Sequence, residues 1–261
     1  MTFGEPGVQL VRGLAPLGAF ALGLVLERLS PHVALRPAWR ANLGLWLVGV
    51  ALMSVVCGAC GFATAVWATQ SGVGLLNQLG APLWVGIVVT VMALDLLSYG
   101  WHRANHEIGF LWRFHRVNHA DAAYHVSTAL RFHPGELLLA LPLRLGAIIG
   151  LGAPPLGVFV FEAIFGIANV LEHGNFDLPR RLERLLGVAV VTPALHRRHH
   201  STLRRERDSN YGTILSVWDR AARTLRPDTS AARFATGLDA PIGARSRSLA
   251  AMLVAPLLRP R

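Results

Sequence analysis

Lysine is absent from this 261-residue chain, and all 25 of its basic residues are arginine. Charge of either sign is scarce: 15% of residues are charged, against about 25% in a soluble domain. With 52% hydrophobic residues and a mean hydropathy of +0.42, this shortage argues against an ordinary water-soluble domain and makes lipid part of the solvent. Cysteine is limited to Cys57 and Cys60, so there is no disulfide framework. Their CxxC lies in an apolar run beside Gly58, Ala59 and Gly61, where small-residue helix packing is preferred to redox chemistry. A haem-type Cys motif, a Gly-rich dinucleotide fingerprint and an internal repeat are all missing. No basic stretch precedes the first apolar run, which therefore reads as a retained span and not a cleaved signal. The net charge of +10 does not point to nucleic acid. The arginines flank apolar spans and form no basic groove with interleaved aromatics, so anionic lipid headgroups are the expected counterpart.

What is present is a series of apolar runs. Residues 8–26 are about long enough to cross a hydrocarbon core of ~30 Å, with Arg12 near the outer end and Pro16 as a tolerated kink. Residues 41–69 carry no charge, and residues 82–100 carry one, Asp95. The connection 27–40 holds Arg28, Arg36 and Arg40, whereas the loop 70–81 is uncharged. The positive-inside rule therefore puts the first connection in the cytoplasm and returns the third span there. Arg12 weighs mildly against this orientation. Residues 137–170 are apolar again, broken at 150–155 by glycines and two prolines. That break favours two helices joined by a tight turn. Histidines on both flanks require its ends to lie on one side of the membrane. One domain is expected, with residues 101–136 and 171–227 as a cytoplasmic cap. A basic amphipathic tail at 240–261 lies on the membrane or frays.

Ten of the eleven histidines fall between positions 102 and 200. His102 and His106 are spaced i,i+4, as are His115 and His119, so each pair shares a helix face. His196, His199 and His200 offer i,i+3 and i,i+4 pairs together, which lets one helix reach two metals. His125, His133 and His173 complete the set. One such pair is weak evidence; three groups near membrane boundaries point to a polynuclear metal site. Asp95 and Tyr99 lie on the face of His102 and His106. An acid in an apolar span is a functional-site hypothesis by default, here as acceptor of a ligating ring's second N–H. The alternative is a helix–helix ion pair with Arg144. A zinc-protease motif is excluded, because Arg103 stands where the glutamate belongs. Trp101, Trp112 and Trp218 read as interface anchors. The arginines at 197, 198, 204, 205 and 207 read as a solvated face or a docking patch.

Residues 95–106, 111–119, 127–134, 173–175, 192–201, 210–212 and 218–219 resemble, in order, the motifs of the fatty acid hydroxylase/sterol desaturase superfamily of integral-membrane oxygenases. The resemblance implies an all-α polytopic membrane helical bundle with a cytoplasmic His-rich cap. It implies two irons held by His102, His106, His115, His119, His196, His199 and His200, with His133 and His173 as further ligands or close supports. The family's second group usually reads His-x-x-His-His. Asn118 departs from it, leaving weak amide ligation, water or His125 as replacements.

The implied activity is O2-dependent hydroxylation, or the related desaturation, of a lipid, sterol-like or isoprenoid substrate drawn from the bilayer. A separate electron donor, a ferredoxin or small haem protein, supplies two electrons. The rival reading, kept open by Asn118, is a zinc-loaded or inactive relative with a structural or hydrolytic role, since zinc has no redox chemistry. A metal transporter fits less well, because the spans are nearly free of ionisable residues.

Overall fold

The computed structural model describes residues 6–34, 37–57, 60–227, 235–238, 243 and 247–258, with side chains from residue 14 onward. The Arg12 side chain and most of residues 239–246 therefore lie outside the described part, as do residues 259–261. Among the described residues the fold is helical throughout, with isolated β-bridges and no extended strand.

Helix α1 spans Pro6–Leu29 and covers the first apolar run. The long second run forms α2 (Trp39–Val56) and α3 (Cys60–Gln70), followed by a short α4 (Leu75–Gln78). Helix α5, Leu83–Glu107, is the third run extended by two turns into the His-rich region. Helix α6 is Gly109–His119, and a 3₁₀ turn covers Val126–Leu130. The run 137–170 forms two 18-residue helices, α7 (Pro134–Leu151) and α8 (Pro155–Glu172). Short helices α9 (Arg180–Leu186), α10 (Pro193–His199), α11 (Arg204–Arg207) and α12 (Val217–Ala221) follow.

Four stretches are long and apolar enough to cross a membrane: Trp39–Gln78, Leu83–Glu107, Pro134–Leu151 and Pro155–Glu172. At 1.5 Å per residue, each of the last two is about 27 Å long. Their outward faces are apolar, with Trp84, Leu83, Val55 and Trp67 all at least half exposed. In water such a surface would be a liability; against acyl chains it is not.

Helix α8 packs against α1, α3 and α5, and α7 closes on α2 and α3. The central core joins Ala65, Leu94, Ile148, Val158 and Phe161. The α7–α8 turn is set by Gly152, whose φ of +67° is left-handed and whose N–H donates to Ile148 O and Ile149 O. Pro154 and Pro155 then start α8. Gly74 approaches this turn so closely that an added Cβ would collide with the backbone of Gly152. Loop 71–74 and the α7–α8 turn are thus locked together at the end of the bundle away from the histidines.

The opposite end is held by buried polar groups. Glu27 Oε1 accepts from Val126 N and Asn175 N, tying α1 to two cap loops. Arg131, fully buried, donates to Asn42 Oδ1 and Val117 O and lies 3.7 Å from Asp121. Cys57 and Cys60 differ from the packing expectation: they form a disulfide where α2 hands over to α3. Leu249–Val254 is helical and buries Met252 beside Leu45 and Val117. Arg116 Nη2 fixes it by donating to Ala255 O and Leu258 O.

Candidate metal centre

Eight histidines meet at the inner end of α5 in two groups. His102, His106, His115, His119 and His199 form one; His173, His196 and His200 form the other. Within each group the ring nitrogens nearest the centre lie within 4.8 Å of one another. Ile108, extended between α5 and α6, folds the first two histidine pairs against each other. Helix α10 starts at Thr192, whose hydroxyl accepts from Leu195 N and donates to Glu183. Its i,i+4 pair, His196 and His200, enters the smaller group, and His199 turns to the larger one. One short helix therefore serves both.

The rings are oriented from behind. Nδ1 donates to Tyr211 O from His102 at 2.8 Å, to Ser209 O from His199 at 2.7 Å and to Asn169 O from His173 at 2.7 Å. A carbonyl only accepts, so these rings carry their proton on Nδ1 and turn a bare Nε2 inward. His115 Nδ1 is held by Glu136 Oε1 at 2.9 Å, and His106 Nδ1 faces Asp208 at 3.4 Å. In the centre, His115 and His119 bring their Nε2 atoms to 3.2 Å, as do His173 and His196.

These residues fit metal ions. His106 Nε2, His199 Nε2 and both nitrogens of His200 are buried with no hydrogen-bond partner, a costly arrangement unless a cation takes the lone pairs. Burial first, and neighbouring imidazoles second, push His119, His196, His199 and His200 well below the usual histidine range. Burial takes His173 down to about 4, against the raising effect of its Asn169 hydrogen bond. These rings are neutral at physiological pH, the form that ligates.

Two histidines expected near the site stand apart from both groups. His133 caps α7: its Nδ1 accepts from Gly135 N, and its Nε2 donates to Leu253 O. His125 caps the 3₁₀ turn, with Nδ1 accepting from Ser127 N and Nε2 2.6 Å from Glu27. Their ring nitrogens are spent on the backbone and on Glu27, so His125 does not replace Asn118. Asn118 is buried at the edge of the centre, its amide 3.5 Å from Thr128 O.

Asp95 touches no histidine and does not pair with Arg144, which joins Glu162 at 3.1 Å. It accepts instead from Ile214 N, Leu215 N and Trp218 Nε1. Trp218, expected as an interface anchor, is thus a half-buried hydrogen-bond donor to this acid. Asp219, which is buried, accepts from Tyr211 N and Gly212 N. Together the two acids suspend the loop that offers its carbonyl to His102. Tyr99 bonds Thr224 Oγ1 on the far side of that loop. In the arginine run, Arg197 is buried and donates to Phe176 O and Asp177, while Arg207 stacks over Trp112.

Sequence reasoning missed Glu136 and Glu172. Both sit at the inner ends of apolar spans, and the argument applied to Asp95 would have flagged them. They line a cavity of about 220 Å³ that runs between α5, α7 and α8. Leu94, Leu97, Leu143, Phe161 and Phe165 form its apolar part, and His102, His115, His173 and His196 lie at its polar end.

A helical bundle of membrane-crossing length, with two clusters of metal-ligating histidines facing an apolar cavity, defines a membrane-type metalloprotein. The chain belongs to the fatty acid hydroxylase family, whose profile matches residues 87–224. It is 28% identical over 222 residues to the ornithine lipid hydroxylase OlsE of Rhizobium tropici, covering 80% of this chain and 65% of that protein. It is 30% identical to the alkylglycerol monooxygenase of Danio rerio, over 58% of this chain and 32% of that one. Cholesterol 25-hydroxylase of Mus musculus is 25% identical over 54% of this chain and 46% of its own length. The chain thus spans less than two thirds of each of these relatives. No solved structure matches it.

Proposed function

We propose that the protein is an integral-membrane diiron oxygenase that hydroxylates a lipid substrate, with its histidine centre on the cytoplasmic side. The observation that carries this reading is the junction of two imidazole groups with an apolar cavity between membrane-length helices. Relatives named as lipid and sterol hydroxylases or monooxygenases support hydroxylation over desaturation. The Arg-bearing connection 27–40 leads to the histidine end of the bundle, which supports the cytoplasmic orientation.

His102, His106, His115, His119 and His199 would hold one iron, and His173, His196 and His200 the other. When bound, iron supplies the O2 activation that side chains lack. The chain's own contribution is positional. The cavity takes an apolar chain from the side of the helices and brings it to His102, His115, His173 and His196. Leu94, Phe161 and Phe165 keep water from the reacting carbon. Carbonyls behind His102, His173 and His199 fix ring angle and tautomer, so the rings need no reorganisation during turnover. A separate electron donor is required, and the exposed arginines Arg204 and Arg205 suit an acidic one.

The zinc reading has one observation in its favour: three imidazoles in the smaller group match the ligand count of catalytic zinc. Metal analysis of protein purified anaerobically from iron-supplied cells, with lipid profiles of cells with and without the gene, decides between them. Two irons per chain and a hydroxylated lipid dependent on the gene are expected. Zinc alone, with no change in lipids, overturns the oxygenase reading.

A further inference from the structure

The two histidine groups are unequal, five imidazoles against three. Asn118, which departs from the histidine pattern, lines the cavity together with His173 and His196 of the smaller group. Glu172 is the last residue of α8, directly before His173, and is 3% exposed. Its Oε1 is 3.8 Å from His196 Nε2 and 4.0 Å from His173 Nδ1. Its Oε2 is buried without a hydrogen-bond partner. Both Glu172 and Asn118 line the cavity beside His173 and His196.

We propose that Glu172 is a carboxylate ligand of the metal in the smaller group, completing a set with His173, His196 and His200. The inference rests on the two-metal reading and adds to it a donor that is not a histidine. Two atoms bound to one ion at about 2.0–2.2 Å lie no more than roughly 4.3 Å apart, and Oε1 already meets that limit with His196 Nε2. Tyr124 donates to the Glu172 backbone carbonyl and not to its carboxylate.

Charge points the same way. Eight neutral imidazoles around two divalent ions leave four positive charges in a low-dielectric interior, and a carboxylate on one of them removes part of that cost. Three histidines with one carboxylate, and room left toward the cavity, also suit iron better than a closed all-nitrogen shell. The two metals then differ in kind: one lies in a histidine cage, and the other in a mixed shell beside the substrate.

The test uses full-length protein purified anaerobically in detergent and loaded with ⁵⁷Fe, read by metal content per chain and by Mössbauer spectra. Glu172→Ala should lose one of two irons and the quadrupole doublet of that site. Glu172→Gln, isosteric and uncharged, should lower the affinity of the same site at least tenfold while the thermal transition stays intact. His173→Ala should remove the same doublet, and His106→Ala the other one. Two irons and an unchanged spectrum in both Glu172 variants overturn the proposal and leave the two-metal reading standing. Wild-type protein with one iron that His173→Ala does not touch overturns both.

Discussion

Asp95 accepts a 2.7 Å hydrogen bond from the indole of Trp218, 123 residues away in sequence. The same carboxylate accepts the N–H groups of Ile214 and Leu215. These bonds hang the loop 210–218 on α5, and that loop supplies Tyr211 O to His102 on the next turns of the same helix. An acid inside an apolar span thus acts on the metal centre through a loop and not through a ring. Asp95→Asn keeps the shape but turns an amide N–H₂ toward donors. Hydrogen bonds to a charged group contribute about 1.5–3 kcal/mol each, so thermal unfolding in detergent should fall by several degrees. Loss of the support behind His102 should weaken metal binding about 10- to 100-fold. Unchanged iron affinity by chelator competition would show that the loop holds its position without Asp95.

Glu136 makes a direct version of the same contact. Its Oε1 accepts from His115 Nδ1 and from Asn105 Nδ2. Glu136→Ala leaves the His115 ring free to rotate and should reduce metal affinity about 10- to 100-fold. Glu136→Gln retains an oxygen acceptor and should recover most of it. Equal losses in the two variants would instead indicate a need for the negative charge.

Much of this arrangement was legible in the residues, and the limits have physical causes. Apolar runs and the glycine–proline break located the helices, because membrane length and backbone breakers leave local marks. Spacing placed His196, His199 and His200 on one helix serving two groups, because i,i+4 geometry is local too. The positions of His125 and His133 were not legible. A histidine before a helix is an acceptable cap or an acceptable ligand, and only the three-dimensional path shows which. The acid at Asp95 stands out in an apolar run, but its partners lie about 120 residues away and carry no local signal. Glu136 and Glu172 sat beside apolar runs unflagged, overshadowed by the histidines.

The metal-free protein should lose stability in mild acid. His119, His173, His196, His199 and His200 have folded pKa values below the unfolded value of about 6.5. Between the two values the unfolded chain binds more protons, so stability rises with pH there. It is fully present above about pH 6.5 and is lost as pH falls toward the folded values, about 4 for His173. Melting temperatures of the metal-free protein should fall steeply across this window. Loading with metal should shift the fall to lower pH, because ions bind only the deprotonated rings. A flat profile in the metal-free form would mean that the rings are not buried as a group.

The cavity can be tested without disturbing the metals. Ala140 on α7 lines it, whereas the neighbouring Leu139 does not and is exposed on the bundle's outer face. Ala140→Phe places a ring in the space proposed to take the apolar body of the substrate. Filling a cavity lacks the strain of overpacking a dense core, which costs about 1–3 kcal/mol, so folding and iron content should stay near wild type. Product formation should drop at least tenfold, with the Michaelis constant rising most for the bulkiest substrates. Leu139→Phe puts the same ring on the outward-facing surface, outside the cavity, and should leave turnover unchanged. If the two variants behave alike, substrate does not enter between α5, α7 and α8, and the apolar side of the histidine centre has another use.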